Sequence, residues 1–245
     1  MIRSLTIGLP VGDQSESKIE SDVRRLIEVS EKAFTENELS SRTVRYSLPA
    51  IGAEGENEGY VISILNWVDR LADETGVRWF CLPLAFVSDG SRVERLSVSL
   101  NAITQFRKMF LNLMVADREK LSIESISDAA KLVLQISKKS NNGFDNFRVG
   151  ASCGCPANAP FFPFSRHEGK GVAFSFALEL TDLAIQVSKG LGKNAEVDFF
   201  RDHLVEDLSS PLAKIHELGE QIALGSGCEY RGLDASFAPF PNGKT

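Results

Sequence analysis

Short apolar runs alternate along this chain with stretches of helical period, and that alternation predicts most of its elements. Residues 5–9 form a first apolar run, read as a strand. In residues 18–36, Ile19, Val23, Leu26, Ile27, Ala33 and Phe34 recur at steps of three and four, the period of an amphipathic helix. Residues 43–48 (TVRYSL) alternate and are rich in β-formers, and Pro49 ends them. Residues 60–72 are helical again, with Ile64, Leu65, Val68 and Leu71 on one side. Residues 77–82 read as a strand closed by Pro83. Residues 92–106 are expected as a helix and 109–115 (MFLNLMV) as a buried strand, with one continuous helix over 91–117 as the competing reading.

Residues 125–138 read as a helix with Ile126, Ala130, Val133 and Ile136 inward, ended by Asn141-Asn142-Gly143. A strand over 146–152 leads into a loop. Residues 171–191 are expected as a helix carrying Phe174, Ala177, Leu178, Leu183, Ala184 and Val187, stopping at Gly190 and Gly192. A helix over 196–208 comes next. Ser209-Ser210-Pro211 then reads as an N-cap with proline at the first helical position, opening a further helix to about residue 224. A last strand covers 230–237. Strands separated by helical stretches imply right-handed βαβ crossovers and a parallel sheet buried on both faces. The expected fold class is α/β, with no linker composition anywhere, so residues 1–245 read as one domain.

Composition narrows the function classes. The chain has 245 residues, 43% hydrophobic and 24% charged, which suits an ordinary globular core. Its formal net charge is −6, and Lys and Arg are scattered, so nucleic acid and anionic membranes are not expected partners. The first residues form too short an apolar run for a signal peptide, and no later run approaches the ~18 residues of a membrane helix. A cytosolic protein with reduced Cys81, Cys153, Cys155 and Cys228 is expected.

The most unusual stretch is Arg148 to Gly169, which concentrates two of the four cysteines, one of the three histidines and three of the nine prolines. It follows an expected strand, and in α/β sheets ligands bind beyond the carboxyl ends of strands. Cys153 and Cys155, two apart, would point the same way on extended backbone. Arg148, Arg166 or His167 could give either the positive surroundings a thiolate needs. Cys-x-Cys with His167 and Glu168 could instead offer zinc ligands, although the gap is tighter than usual. Two small buried thiols beside a proline-pinned loop remain the plainer alternative. His167 could move a proton near neutrality, or could be a loop histidine bonded to backbone. Asn158 adds a polar group to the same loop, and Gly169 with Gly171 leaves amides open for an anion. Asp234 and Ser236, on the last strand, are expected either in structural hydrogen bonds or at the site, because an unpaired Asp on a buried strand costs several kcal/mol. Glu179, Asp182 and Gln186 form a polar stripe at helical steps, read as a solvated face or a cleft-facing acid pair. Dinucleotide, Walker A, nucleophile-elbow and kinase patterns are missing from the sequence. No pattern names a cofactor.

Several segments together resemble the uncharacterised domain of unknown function 711 family: IRSLTIGL at 2–9, RTVRYSLP at 42–49, residues 147–162 with Pro163, His167-Glu168-Gly169, and GLDASFAP at 232–239. Their order and spacing agree over most of the chain. The resemblance implies a pyruvate formate-lyase-like fold, an α/β barrel of parallel and antiparallel halves. It brings no activity and no catalytic residues. Family members usually continue beyond Pro239-Phe240-Pro241, so a partial barrel, or one completed by another chain, is expected. No glycyl-radical segment accompanies the cysteines, and the likeness to formate-lyases is one of fold. Three functions remain: an enzyme on a small polar or carboxylate-bearing metabolite, a non-catalytic metabolite-binding or regulatory protein, and an assembly protein forming homo-oligomers.

Overall fold

The computed structural model describes residues 2–12, 14–51, 58–85, 92–116, 121–191 and 196–236. Its elements run β1 (Ile2–Gly8), α1 (Glu16–Glu36), β2 (Val44–Ser47), α2 (Glu58–Glu74), β3 (Trp79–Ala85), α3 (Arg92–Gln105), β4 (Met109–Ala116), α4 (Ile123–Lys139), a 3₁₀ segment (Asn141–Arg148), β5 (Val149–Cys153), β6 (Ala173–Leu178), α5 (Thr181–Leu191), α6 (Val197–Ser226) and β7 (Glu229–Asp234). Among the described residues no helix is long and apolar enough to cross a membrane.

The strands form one sheet in the order β5-β4-β3-β2-β1-β6-β7. From β1 to β5 each strand adds beside the last in parallel. Crossovers of a single hand that advance in one direction leave their helices on one side of the sheet. That side is strongly apolar: Leu5, Ile7, Tyr46, Phe80, Leu82, Leu111, Leu113, Phe174 and Phe176 share one core with the inward faces of the helices. Phe34 of α1 meets Phe176 edge-on at 5.7 Å, and His216 of α6 meets Tyr230 at 5.4 Å. Trp67 of α2 donates to Glu20 of α1 at 2.9 Å.

Four expectations are corrected. Residues 173–178 form a strand, β6, not the start of a helix, and β6 runs antiparallel to β1, so the sheet is mixed. All six of its residues are buried, and a strand buried on both faces loses the polar alternation that would reveal it. The second is narrower: the sheet is buried on both faces as expected, but among the described residues the helices lie on one of them. Third, α6 runs unbroken through Ser209, Ser210 and Pro211. Finally, α4 is rotated from the expected phase: Ser125, Asp128, Ala129, Leu132 and Ile136 face inward, while Ile126 and Val133 are 40% and 39% exposed. Smaller shifts occur at the ends. The strand expected over 77–82 runs on through Pro83 to Ala85. Glu179 precedes α5, where it pairs with Arg42 at 3.3 Å. Of the last expected strand, Phe237 lies outside the described residues.

Candidate functional site

The second face of the sheet is small and polar around β1 and β2, and aromatic across β3 and β4, where Trp79 and Phe110 meet edge-on. Alternation along the strands turns Thr6 and Gly8 of β1, Ser47 of β2, Cys81 of β3, Asn112 of β4 and Ser175 of β6 to this side. The segment between β5 and β6 folds back over it. Cys81 Sγ donates to the Pro163 carbonyl at 2.6 Å, and Asn112 Nδ2 to the Phe164 carbonyl at 3.3 Å. Phe162 is buried beside Phe110, with the Arg45 guanidinium 4.9 Å above its ring. A Cβ at Gly150 would strike the Phe164 ring. His167 N donates to the Leu48 carbonyl at 2.9 Å. The segment is therefore seated on this face by side chains that the strands present.

Asn158 braces the two arms of this segment. Its N–H donates to the Arg166 carbonyl at 2.8 Å, its Nδ2 to the Glu168 carbonyl at 3.0 Å, and its Oδ1 accepts from Glu168 N at 2.8 Å. Asn158 has φ +59°, a conformation asparagine tolerates better than most residues. Around this brace lies a hollow of about 520 Å³ at the carboxyl ends of β4 and β5, lined by Cys155, Asn158, Arg166 and Glu168 among others. A cavity of about 20 Å³ beneath shares Asn158 and Arg166 with it and adds Thr6, Ser47, Ser165, His167 and Arg231. A third depression, of about 240 Å³, reaches Arg166 and His167 between Pro10 and Pro49.

The charges are set by burial. His167 is 4% exposed, and its Nε2–H donates to the Gly169 carbonyl at 3.1 Å. Desolvation lowers its pKa below 6.5, aided by Arg231, while the Gly169 and Gly171 carbonyls and Glu229 work against that. The ring is neutral at pH 7. Burial pushes the Cys155 thiol up, the Arg166 charge opposing it. Arg166 forms no ion pair among the described residues, and its Nε is buried without a hydrogen-bond partner.

Of the residues expected at a site, the structure brings together Cys155, Asn158, Arg166, His167, Glu168 and Gly169. It separates the rest. Cys153 ends β5 exposed to solvent, because Gly154 takes φ +64° and breaks the alternation that would have aligned the two cysteines. Arg148 is buried at the amino end of β5. Its guanidinium donates to the carbonyls of Ile103, Phe106 and Met109 and to Asp145, so it closes the end of α3 and does not reach the hollow. Asp234 pairs in register with Ala177, which pairs with Ser4. That is the opposite end of the sheet from Gly8, about 13 Å away along β1 at ~3.3 Å per residue. Its Oδ1 accepts from Ser236 N at 2.8 Å, a local turn contact for both residues. Among the described residues no three of His, Cys, Asp and Glu converge as metal ligands.

Thr6, Ser47, Ser165 and Arg231 line the site without having been singled out. Ser47 carried a signal, since polar residues at the carboxyl ends of parallel strands are where such sites form. Arg231 carried none, because its strand's direction depends on the unrecognised β6. Compared with known proteins, the chain matches over residues 1–245 the family described as "Uncharacterised ACR (DUF711)". No curated protein matches it.

Proposed function

The chain belongs to the DUF711 family, and from the geometry of its hollow we propose that it acts on a small polar metabolite by acid–base chemistry at His167. The observation that carries this reading is Arg166. A guanidinium with a buried, unpartnered Nε, bordering all three depressions beside a neutral imidazole, is a ligand-binding group awaiting an acceptor. Neutral imidazole can take or give a proton near pH 7. Cys155 serves as a wall of the site, since its raised pKa disfavours the thiolate that a nucleophile requires. The four free cysteines support a reducing, cytosolic setting.

A metabolite library screened by thermal shift tests the proposal. A ligand at a hundredfold excess over its Kd adds about 2.7 kcal/mol of stability. Arg166→Gln is expected to abolish the shift, and His167→Asn to retain binding while losing turnover of the bound compound. Shifts undiminished in Arg166→Gln would move the site elsewhere.

Self-assembly is a second reading, compatible with the first. Phe144 and Phe147 stack in the open, 73% and 75% exposed, next to the outward Ile126, Val133 and Leu134 of α4. A second exposed apolar group, Val197, Phe199 and Val205, lies on α6. Two separate exposed apolar groups on one chain suit head-to-tail contact between copies. A solution mass that is a multiple of one chain, falling to one chain in Leu134→Glu, is expected; a monomer at every concentration contradicts it.

A further inference from the structure

We infer that the small cavity beneath His167 is a carboxylate seat, an inference that rests on the metabolite site proposed above and names the class of compound it takes. The cavity is the smallest of the three depressions that Arg166 borders, about 20 Å³.

Its walls carry donors that lack acceptors. Thr6, Ser47 and Ser165 are each 3% exposed, and the hydroxyl of each is buried with no hydrogen-bond partner. The Nε atoms of Arg166 and Arg231 are in the same condition. Folded proteins seldom leave buried polar groups orphaned, and five around one cavity have a common explanation in a ligand made only of acceptors. An ionised carboxylate is such a group, with about four lone-pair sites on two oxygens. Charge points the same way. Arg231 is balanced by Glu229 at 2.6 Å, Arg166 has no counter-ion among the described residues, and no acidic side chain lines the cavity. Buried His167 contributes no charge. The seat is thus short of one negative charge. Gly8 completes it: a Cβ there would fall on the His167 ring, so the missing side chain is what lets the imidazole roof the cavity.

Acetate is the simplest probe. The full chain, labelled with ¹⁵N, would be titrated with acetate, with acetamide as the uncharged isostere and with inorganic phosphate, following the arginine Nε–H signals. Saturable movement of the Arg166 and Arg231 signals with acetate, none with acetamide and a weaker response to phosphate are expected. Ser47→Ala and Thr6→Val, which remove one donor each at little change in volume, should each weaken acetate binding by about tenfold, the worth of one hydrogen bond to a charged group. Equal response to acetamide, tighter binding of phosphate, or wild-type acetate affinity in both variants would overturn the seat. Should acetate fail while a library metabolite still gives an Arg166-dependent thermal shift, the seat falls and the site stands. Acetate binding with no Arg166-dependent metabolite shift would leave the seat and remove the proposed function.

Discussion

His167 owes its position and its protonation state to the same surroundings. The ring packs over Gly8, is tied by Nε2 to the Gly169 carbonyl, and is buried enough that desolvation lowers its pKa. The sign of the consequence follows from linkage. The unfolded chain takes up a proton on this histidine near its ordinary value of 6.5, while the folded chain resists until a lower pH. The stabilising contribution is therefore complete above 6.5 and is lost as pH falls below it. Urea unfolding from about pH 7.5 down to about pH 5 should show the wild-type protein losing stability faster than His167→Gln, by at most ~1.4 kcal/mol per pH unit for one proton. Parallel curves would mean that the ring is not desolvated. Single residues of this site were legible where their chemistry is rare. His167, Cys155 and Arg166 stand out in a proline-rich stretch whatever the fold does. Ser47 and Thr6 are ordinary strand residues, and only register across the sheet brings them beneath the imidazole.

Elements built on one clear period, such as α1 and α2, could be read directly. Those that failed did so for identifiable reasons. β6 is buried on both faces, so Phe174, Ala177 and Leu178 read equally well as a helix. In α4 the apolar series at Ile126, Ala130 and Val133 is real, but the helix buries the neighbouring face, which includes Asp128 and Ser125. A period locates a stripe and leaves open which neighbour covers it. Ser209-Ser210-Pro211 has the composition of a helix start, yet α6 passes through it. There the proline leaves the Asp207 carbonyl without its helical N–H partner, on an exposed stretch where water can replace it. Pro211→Ala should therefore stabilise the protein by about 1–3 kcal/mol in denaturant unfolding. A loss of stability would show instead that two helices meet at Pro211, as the local sequence suggests.

For the molecule as a whole, the division of the sheet into an apolar face and a second face, polar around β1 and β2, organises the rest. Helices seal the first, and the segment from Gly154 to Val172 lies on the second, meeting β1, β2 and the start of β7 where Arg231 enters. Alternating elements made the α/β class legible. The two-faced sheet was not, because it follows from strand order and from the reversal at β6, which are long-range facts. That reversal also sends Asp234 to the far end of the sheet and brings Arg231 in its place. A crystal structure of the protein with a compound from the metabolite screen would settle where ligand binding occurs. Density within hydrogen-bonding distance of Arg166 and beside the His167 ring is the expected result; a compound bound at any other surface, with this hollow unchanged, would contradict it.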